Sequence, residues 1–172
     1  MSRAICSWSG GKDSCFACYL ALSQGYRVTH LVNFISSEFR RVSFHGTRAR
    51  LIARQAEAMG MTLVQHAVPQ DMSLYEQTFK KAVSTLKVQG AETMVFGDIY
   101  LQEHRDWIER VSAEIGVAQV LPLWGRDPES LLNEFIRAGF EAIVVSANSE
   151  ILGEEWLGRK IDRSFVADLK QL

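Results

Sequence analysis

The hexapeptide Ser9-Gly10-Gly11-Lys12-Asp13-Ser14 gathers more chemistry than any other stretch of the chain. Two adjacent glycines let the backbone bend sharply and bring bare N–H groups against an anion with no Cβ in the way. A helix starting at Lys12 adds unpaired first-turn donors and a partial positive charge at the same spot. Lys12 contributes a full charge, and the hydroxyls of Ser9 and Ser14 supply short hydrogen bonds. Asp13 would repel phosphate, so it must turn outward or hold Mg2+ between itself and the phosphates. A Walker A loop needs glycine where Cys6 stands and serine or threonine where Asp13 stands, and no G-x-G-x-x-G run is present. The bland alternative is a Gly-Gly turn beside an exposed lysine. The whole hexapeptide at a strand–helix junction favours phosphate.

Other residues invite chemistry less strongly. Asp98, after Gly97 at the end of an apolar run, reads as a second carboxylate for Mg2+ or substrate, against a helix N-cap. His104 and Arg105 follow one or two helical turns later. The Arg105 fork suits a carboxylate or phosphate, yet with Glu103, Asp106 and Glu109 it also makes an ordinary solvated face. His45, ahead of Gly46, reaches toward a nucleotide or sits on a surface loop. Trp124, before Gly125-Arg126-Asp127, lines a substrate cleft or fills core. Cys15 and Cys18 share a helix face with Tyr19 and Leu22, and no second Cys or His pair stands at metal spacing; a buried face is the better account.

A phosphate cradle needs a strand before it and a helix after it. Apolar runs predict strands over 4–8, 27–34, 62–68, 93–96, 117–121 and 142–145. Helices are expected over 12–24, 47–59, 74–89, 102–115 and 128–138, with Thr47 and Ser73 as N-caps and glycines 25, 60 and 90 as stops. Residues 35–41 read as a loop, and 153–172 as short helical pieces. Strands alternating with helices of this length imply right-handed crossovers. The fold class is therefore α/β: a doubly wound, mainly parallel sheet with helices on both faces and ligands at the strands' C-terminal ends.

A chain of 172 residues holds one full core and is short for two, so one domain over 1–172 is expected, with 146–172 as a short helical C-terminal extension. Basic and acidic residues number 19 and 20, so no global field draws in nucleic acid or an anionic membrane, though a local basic pocket is allowed. Three cysteines cannot all pair, and the N-terminus lacks a signal peptide's apolar stretch; a reducing, cytoplasmic setting is expected. No apolar run nears the roughly 20 residues that span a bilayer.

Residues 9–14 resemble the SGGxDS loop of the N-type ATP pyrophosphatases, the PP-loop ATPases. Across the whole chain the resemblance narrows to the diphthine–ammonia ligase family. It is carried by Ser7-Trp8 with the loop, Phe44-His45, Gln55-Ala56-Glu57-Ala58-Met59-Gly60 and Val95-Phe96-Gly97-Asp98-Ile99. Pro122-Leu123-Trp124, Gly139-Phe140-Glu141-Ala142-Ile143-Val144 and Trp156-Leu157-Gly158-Arg159 extend it. A Gly-Glu-x-Gly-Glu-Tyr-Glu segment of the eukaryotic members is absent, so the resemblance carries ATP and leaves the acceptor open.

The resemblance implies an adenine nucleotide α-hydrolase-like fold, ATP and Mg2+ as cofactors, and a ligase reaction. A carboxylate attacks the α-phosphate, pyrophosphate leaves, and ammonia then displaces AMP to form an amide. Ser9, Gly10, Gly11, Lys12, Asp13 and Ser14 would hold the pyrophosphate half, with Asp13 on the metal. Asn33, whose backbone would face the adenine, joins them with His45 and Gly97; Lys12, Asp98 and Arg105 complete the set as catalytic residues. The implied partners are ATP, ammonia and a small-molecule or protein-borne carboxylate acceptor, with homo-oligomerisation left open. Two rivals remain: adenylation coupled to sulfur transfer on tRNA, which needs a basic surface and a cleft cysteine, and a non-catalytic ATP-binding module.

Overall fold

The computed structural model describes residues 2–43, 46–68 and 73–172, and divides them into two compact units, Met1–Trp124 and Gly125–Leu172. The sequence predicts one domain with a helical extension over 146–172; the second compact unit begins at Gly125.

The first unit alternates strand and helix: β1 (Arg3–Ser7), α1 (Lys12–Ser23), β2 (Arg27–Ser36), α2 (Ala49–Ala58), β3 (Thr62–Val68), α3 (Ser73–Val88), β4 (Thr93–Val95), α4 (Gln102–Ile115) and β5 (Ala118–Val120). All five strands are parallel, in the order β3-β2-β1-β4-β5. The chain thus winds outward from β1 to one edge, crosses back, and winds to the other. β1 and β4 are the neighbours at which the direction reverses.

Strand side chains alternate between faces, and the core follows that period. Ile5, Val32, Phe34, Met94 and Phe96 join Phe79, Val83 and Leu86 of α3 and Ile108 and Val111 of α4 in one buried cluster. Ala4, Cys6, Leu31 and Val95, the intervening positions, are buried as well. α1 packs against β1, β2 and β4, and α2 against β3. Their buried residues are small or branched: Ala17 and Ala21 of α1, Ile52 and Ala56 of α2. Helices therefore cover both faces, as the alternating pattern predicted. Among the described residues no helix is long and apolar enough to cross a membrane.

Three local expectations need correction. β2 continues to Ser36, two residues past its expected end, because Ile35 and Ser36 keep pairing with Ala67 and Val68 of β3. α2 starts at Ala49 with Arg48 as its N-cap residue and no capping side chain, so Thr47 does not cap it; the Arg40 carbonyl accepts from Ala49 N–H instead. Residues 142–145 do not form a sixth strand. Only Ile143 makes a single antiparallel bridge, to Lys160, and Ile143 and Val145 are exposed. That run instead serves the second unit. There α5 (Pro128–Arg137, capped by Asp127), a 3-10 turn at Glu154–Trp156 and α6 (Arg163–Leu169, capped by Asp162) surround a small core. Trp156, Phe165 and Val166 are its centre, with Leu132, Ile136 and Val144 packed against them.

A polar clasp joins α3 to α4. Glu76 accepts from Trp107 Nε1 at 2.9 Å and from Arg110 Nη2 at 2.6 Å, and Lys80 lies 2.6 Å away. Arg110 first, and then Lys80, hold the Glu76 carboxyl well below the usual carboxylate range. A carboxyl depressed in the folded state contributes stability above its ordinary pKa of about 4.3, and that contribution is lost as pH falls through the folded value. Glu76→Gln should therefore lower the melting temperature at pH 7, with the gap to the parent closing as pH drops from about 5 toward 2. Thermal melts across that range check it; a gap independent of pH would contradict the clasp.

Candidate active site

In open α/β sheets the crevice lies beyond the carboxyl ends of the strands where the winding reverses. A cleft of about 500 Å3 opens there, between the ends of β1 and β4. Ser9, Gly11, Lys12, Asp13 and Ser14 line it from the β1–α1 junction, and Gly97, Asp98 and His104 from the β4–α4 junction. Ser7, Ile99, Tyr100 and Leu101 also line it. Ser7 and Ile99 entered the sequence analysis only through the family resemblance, and Tyr100 and Leu101 not at all, although each adjoins one of the two junctions. Tyr100 and Leu101 are largely exposed and give the cleft an apolar lip.

The loop is tied internally and from behind. Ser9 Oγ lies 3.1 Å from Ser14 Oγ, Ser14 Oγ donates to the Gly11 carbonyl at 3.1 Å, and Gly11 N–H points to Ser9 Oγ at 3.4 Å. Gly10 has φ +78°, which an L side chain rarely adopts, and a Cβ there would sit 2.6 Å from Gln55 Oε1. Gly10 does not line the cleft. Its carbonyl accepts from Gln55 Nε2 at 3.0 Å, while Gln55 Oε1 accepts from Trp8 Nε1 at 3.1 Å. Gln55, on α2, thus grips the loop from both sides. No local pattern announced it, because its partners stand 45 and 47 positions away.

Gly97 is needed for close packing. A Cβ added there would lie 2.9 Å from both the Asp13 carbonyl carbon and the Ser14 nitrogen, which are backbone atoms that cannot step aside. The end of β4 therefore rests directly on the first turn of α1, and this contact sets how near Asp98 comes to the loop.

The charged groups pair within the cleft. Lys12 Nζ donates to both carboxylate oxygens of Asp13, at 2.6 and 2.8 Å, with both side chains over a third exposed. Such a pair contributes about 0–1 kcal/mol, so phosphate can compete for Lys12 readily. Asp98 Oδ1 lies 2.9 Å from His104 Nδ1. Tyr75 is pushed up to about 12, first by burial and then by the Asp98 charge.

Two expected site residues lie elsewhere. Arg105 does not line the cleft: its Nε donates to Glu109 at 2.6 Å and its guanidinium lies 5.1 Å from the Trp124 ring centre. Its neighbour His104 faces the cleft, since adjacent helix positions point about 100° apart. Asn33 is buried, with Nδ2 donating to the Trp8 carbonyl at 2.7 Å and Oδ1 accepting from Gln65 Nε2 at 3.1 Å. β2 runs past it, and its side chain braces the strand bearing the loop. His45 lies outside the described residues.

Among the described residues no three His, Cys, Asp or Glu side chains cluster as a ready-made metal cage. The cleft offers two carboxylates, Asp13 and Asp98. That donor set fits Mg2+, which prefers one or two carboxylates plus phosphate oxygens and water.

A model of the diphthamide synthase N-terminal domain matches residues 2–119, and one of the diphthamide synthase C-terminal domain matches 127–172. A diphthine–ammonia ligase from Danio rerio is 26% identical over 161 residues, covering 83% of this chain and 63% of its own length. The Homo sapiens protein of that name is 23% identical, with 90% and 66% covered. That of Schizosaccharomyces pombe is 25% identical, with 89% of this chain but only 28% of the relative covered. A solved structure titled as a predicted subunit of tRNA methyltransferase from Methanocaldococcus jannaschii superposes with TM-score 0.56 and 15% identity, covering 87% of this chain and 83% of that one. At that identity the likeness speaks for the fold alone.

Gly97→Ala tests the close approach that shapes the cleft. It should destabilise the protein by about 1–3 kcal/mol, as forced overpacking does. Denaturant unfolding checks it, and a stability equal to the parent's would mean that β4 does not rest on the loop.

Proposed function

The chain belongs to the diphthamide synthase family, and on that premise we propose that it is an ATP-dependent amidating ligase. It adenylates a carboxylate, releases pyrophosphate, and passes the activated acyl group to ammonia. The observation that carries this reading is the SGGKDS loop lining the cleft where the sheet reverses direction. The relatives' shared name, diphthine–ammonia ligase, supports the reaction class. The chain spans less than two thirds of the Danio rerio and Schizosaccharomyces pombe relatives, so the acceptor is proposed only as a carboxylate, diphthine or another, small or protein-borne.

A carboxylate is a poor acyl donor until one of its oxygens becomes part of a good leaving group. Its oxygen forms a bond to the α-phosphorus of ATP while the bond to the bridging oxygen of pyrophosphate breaks, the electron pair leaving with pyrophosphate. The first-turn N–H groups of α1, the Ser9 and Ser14 hydroxyls and Lys12 stabilise the charge gathering on that group. Asp13 would hold Mg2+, which would supply further charge neutralisation at the departing group. Ammonia next attacks the acyl carbon, the C–N bond forms, and AMP leaves. Asp98 orients the His104 imidazole, and His104 accepts the proton that the attacking nitrogen sheds. Arg105 acts on this reading through Trp124 and Glu109, outside the chemistry.

The sulfur-transfer alternative is the weaker one. None of the three cysteines lines the cleft, and all are free thiols. The Cys6 thiol is raised by its hydrogen bond with Cys18 and by burial, and burial pushes Cys15 to about 11. Cys18 is lowered through the same hydrogen bond but is 1% exposed. The cytoplasmic setting expected from these thiols belongs to the proposal.

Lys12→Ala should weaken ATP affinity about tenfold to hundredfold, the worth of one or two charge-assisted bonds, and leave the melting point nearly unchanged. Asp98→Asn should lower turnover while ATP affinity stays within a few-fold, because it acts after binding. Calorimetry and product chromatography with candidate carboxylates and ammonium decide both. AMP and pyrophosphate are the expected products; steady ADP and phosphate release would refute the mechanism.

A further inference from the structure

Residues 39–54 contain five arginines and not one acidic residue, in a chain whose net charge is -1. Four of them, Arg40, Arg41, Arg48 and Arg50, line a second cleft of about 520 Å3 with Phe39 and Gln65. It lies past the end of β2 and beside the start of α2, apart from the phosphate loop, and no acidic residue lines it among the described residues. Five other arginines pair with carboxylates, Arg54 with Glu57, Arg105 with Glu109, Arg110 with Glu76, Arg126 with Glu134 and Arg159 with Asp168. Arg3, Arg27, Arg137 and Arg163 have no ion pair among the described residues but do not gather in one cleft with the same charge density. Arg40, Arg48 and Arg50 have no ion-pair partner among the described residues, and Arg41 donates to the Gly46 carbonyl at 2.7 Å. Like charges repel, so an arrangement in which four exposed arginines line one cleft has a cost, reduced by solvent, that a bound anion would lower further.

The backbone fixes that arrangement. Arg40 is the one described non-glycine residue at positive φ, at +51°. Its N–H donates to the Ser36 carbonyl and its carbonyl accepts from Ala49 N–H, both at 3.0 Å. Arg41 and Arg48 pair as an antiparallel bridge, and Ser36 N–H donates to the Arg41 carbonyl at 2.7 Å. The turn after β2 is thereby stitched to the first turn of α2, and α2 carries neither an acidic first turn nor a capping side chain that would compete with an anion. Strain of this kind persists where the surroundings enforce it, and often where a ligand is held.

We propose that this cleft is a second binding site, for a small molecule bearing two or more oxyanion charges, phosphate or carboxylate. Guanidinium forks match both groups in bidentate fashion. The size of the cleft and the net acidic remainder of the chain favour a small anion over a nucleic-acid backbone, which needs a longer basic track. The inference stands whether or not the cradle at residues 9–14 binds ATP.

Calorimetry on the Lys12→Ala protein, in which the cradle is weakened, tests it with inorganic pyrophosphate and with citrate as probes. One-to-one binding of either supports the site, the tighter probe naming the chemistry. Adding Arg40→Gln, Arg48→Gln and Arg50→Gln should weaken that binding about tenfold or more. With Lys12 intact, the three arginine substitutions should leave ATP affinity within about twofold. Arg50→Glu alone, at an exposed helix position, reads the same loss should the triple variant fail to fold. Binding of neither probe, or equal binding after the arginines are replaced, would overturn the proposal. Tighter binding of a short single-stranded RNA, lost with the same substitutions, would overturn it in favour of nucleic acid.

Discussion

The side-chain amide of Gln55 holds the phosphate loop in shape, and the candidate site depends on it. Its nitrogen donates to the Gly10 carbonyl and its oxygen accepts from the Trp8 indole, so strand end and turn are fixed to α2 together. A left-handed turn at a glycine is among the more flexible things a chain can make. With both polar ends of one amide engaged, the turn has a single shape, and the N–H groups after it aim into the cleft. Asn33 and Gln65 extend the brace. Asn33 holds the Trp8 carbonyl, and Gln65 reaches both Asn33 and the Ala49 carbonyl at the start of α2. Asn33 is buried within the sheet, where an unpaired amide would cost about 1–3 kcal/mol, while Gln55 and Gln65 are half-buried.

Such pairings explain which parts of the molecule could be read from residues alone. Strand and helix alternation was legible because burial on both faces leaves short apolar runs broken by glycines, and β3 and α4 fall at their expected limits. The loop was legible because its chemistry is contiguous. Gln55 was not, since a glutamine within a helix looks like any solvated position until its distant partners are known. The side-chain role of Asn33 was hidden for a related reason: it stands near an expected strand end, but β2 goes on to Ser36 and its amide is taken up by Trp8 and Gln65. The exchange of Arg105 for His104 turns on one residue of helical phase, about 100°, which sequence spacing alone does not fix to that accuracy. The run at 142–145 has a strand's composition, but it has no sheet edge to join and covers a separate small core instead.

Gly97 shows how packing and chemistry share a residue. By letting β4 rest on the backbone of Asp13 and Ser14, it brings the Asp98–His104 pair to one wall of the cleft and the phosphate donors to the other. The Lys12–Asp13 pair between those walls is exposed and weak, which suits residues that must exchange partners when a polyanion and its metal arrive.

The most direct measurement of this account is a crystal structure with Mg2+ and an ATP analogue whose α–β bridge cannot be cleaved. The account predicts the β- and γ-phosphates against the N–H groups of residues 11–14, with Lys12 turned from Asp13 onto them. The α-phosphorus would then face the wall bearing Asp98 and His104. A nucleotide bound with its γ-phosphate toward Asp98, or bound outside this cleft, would contradict it.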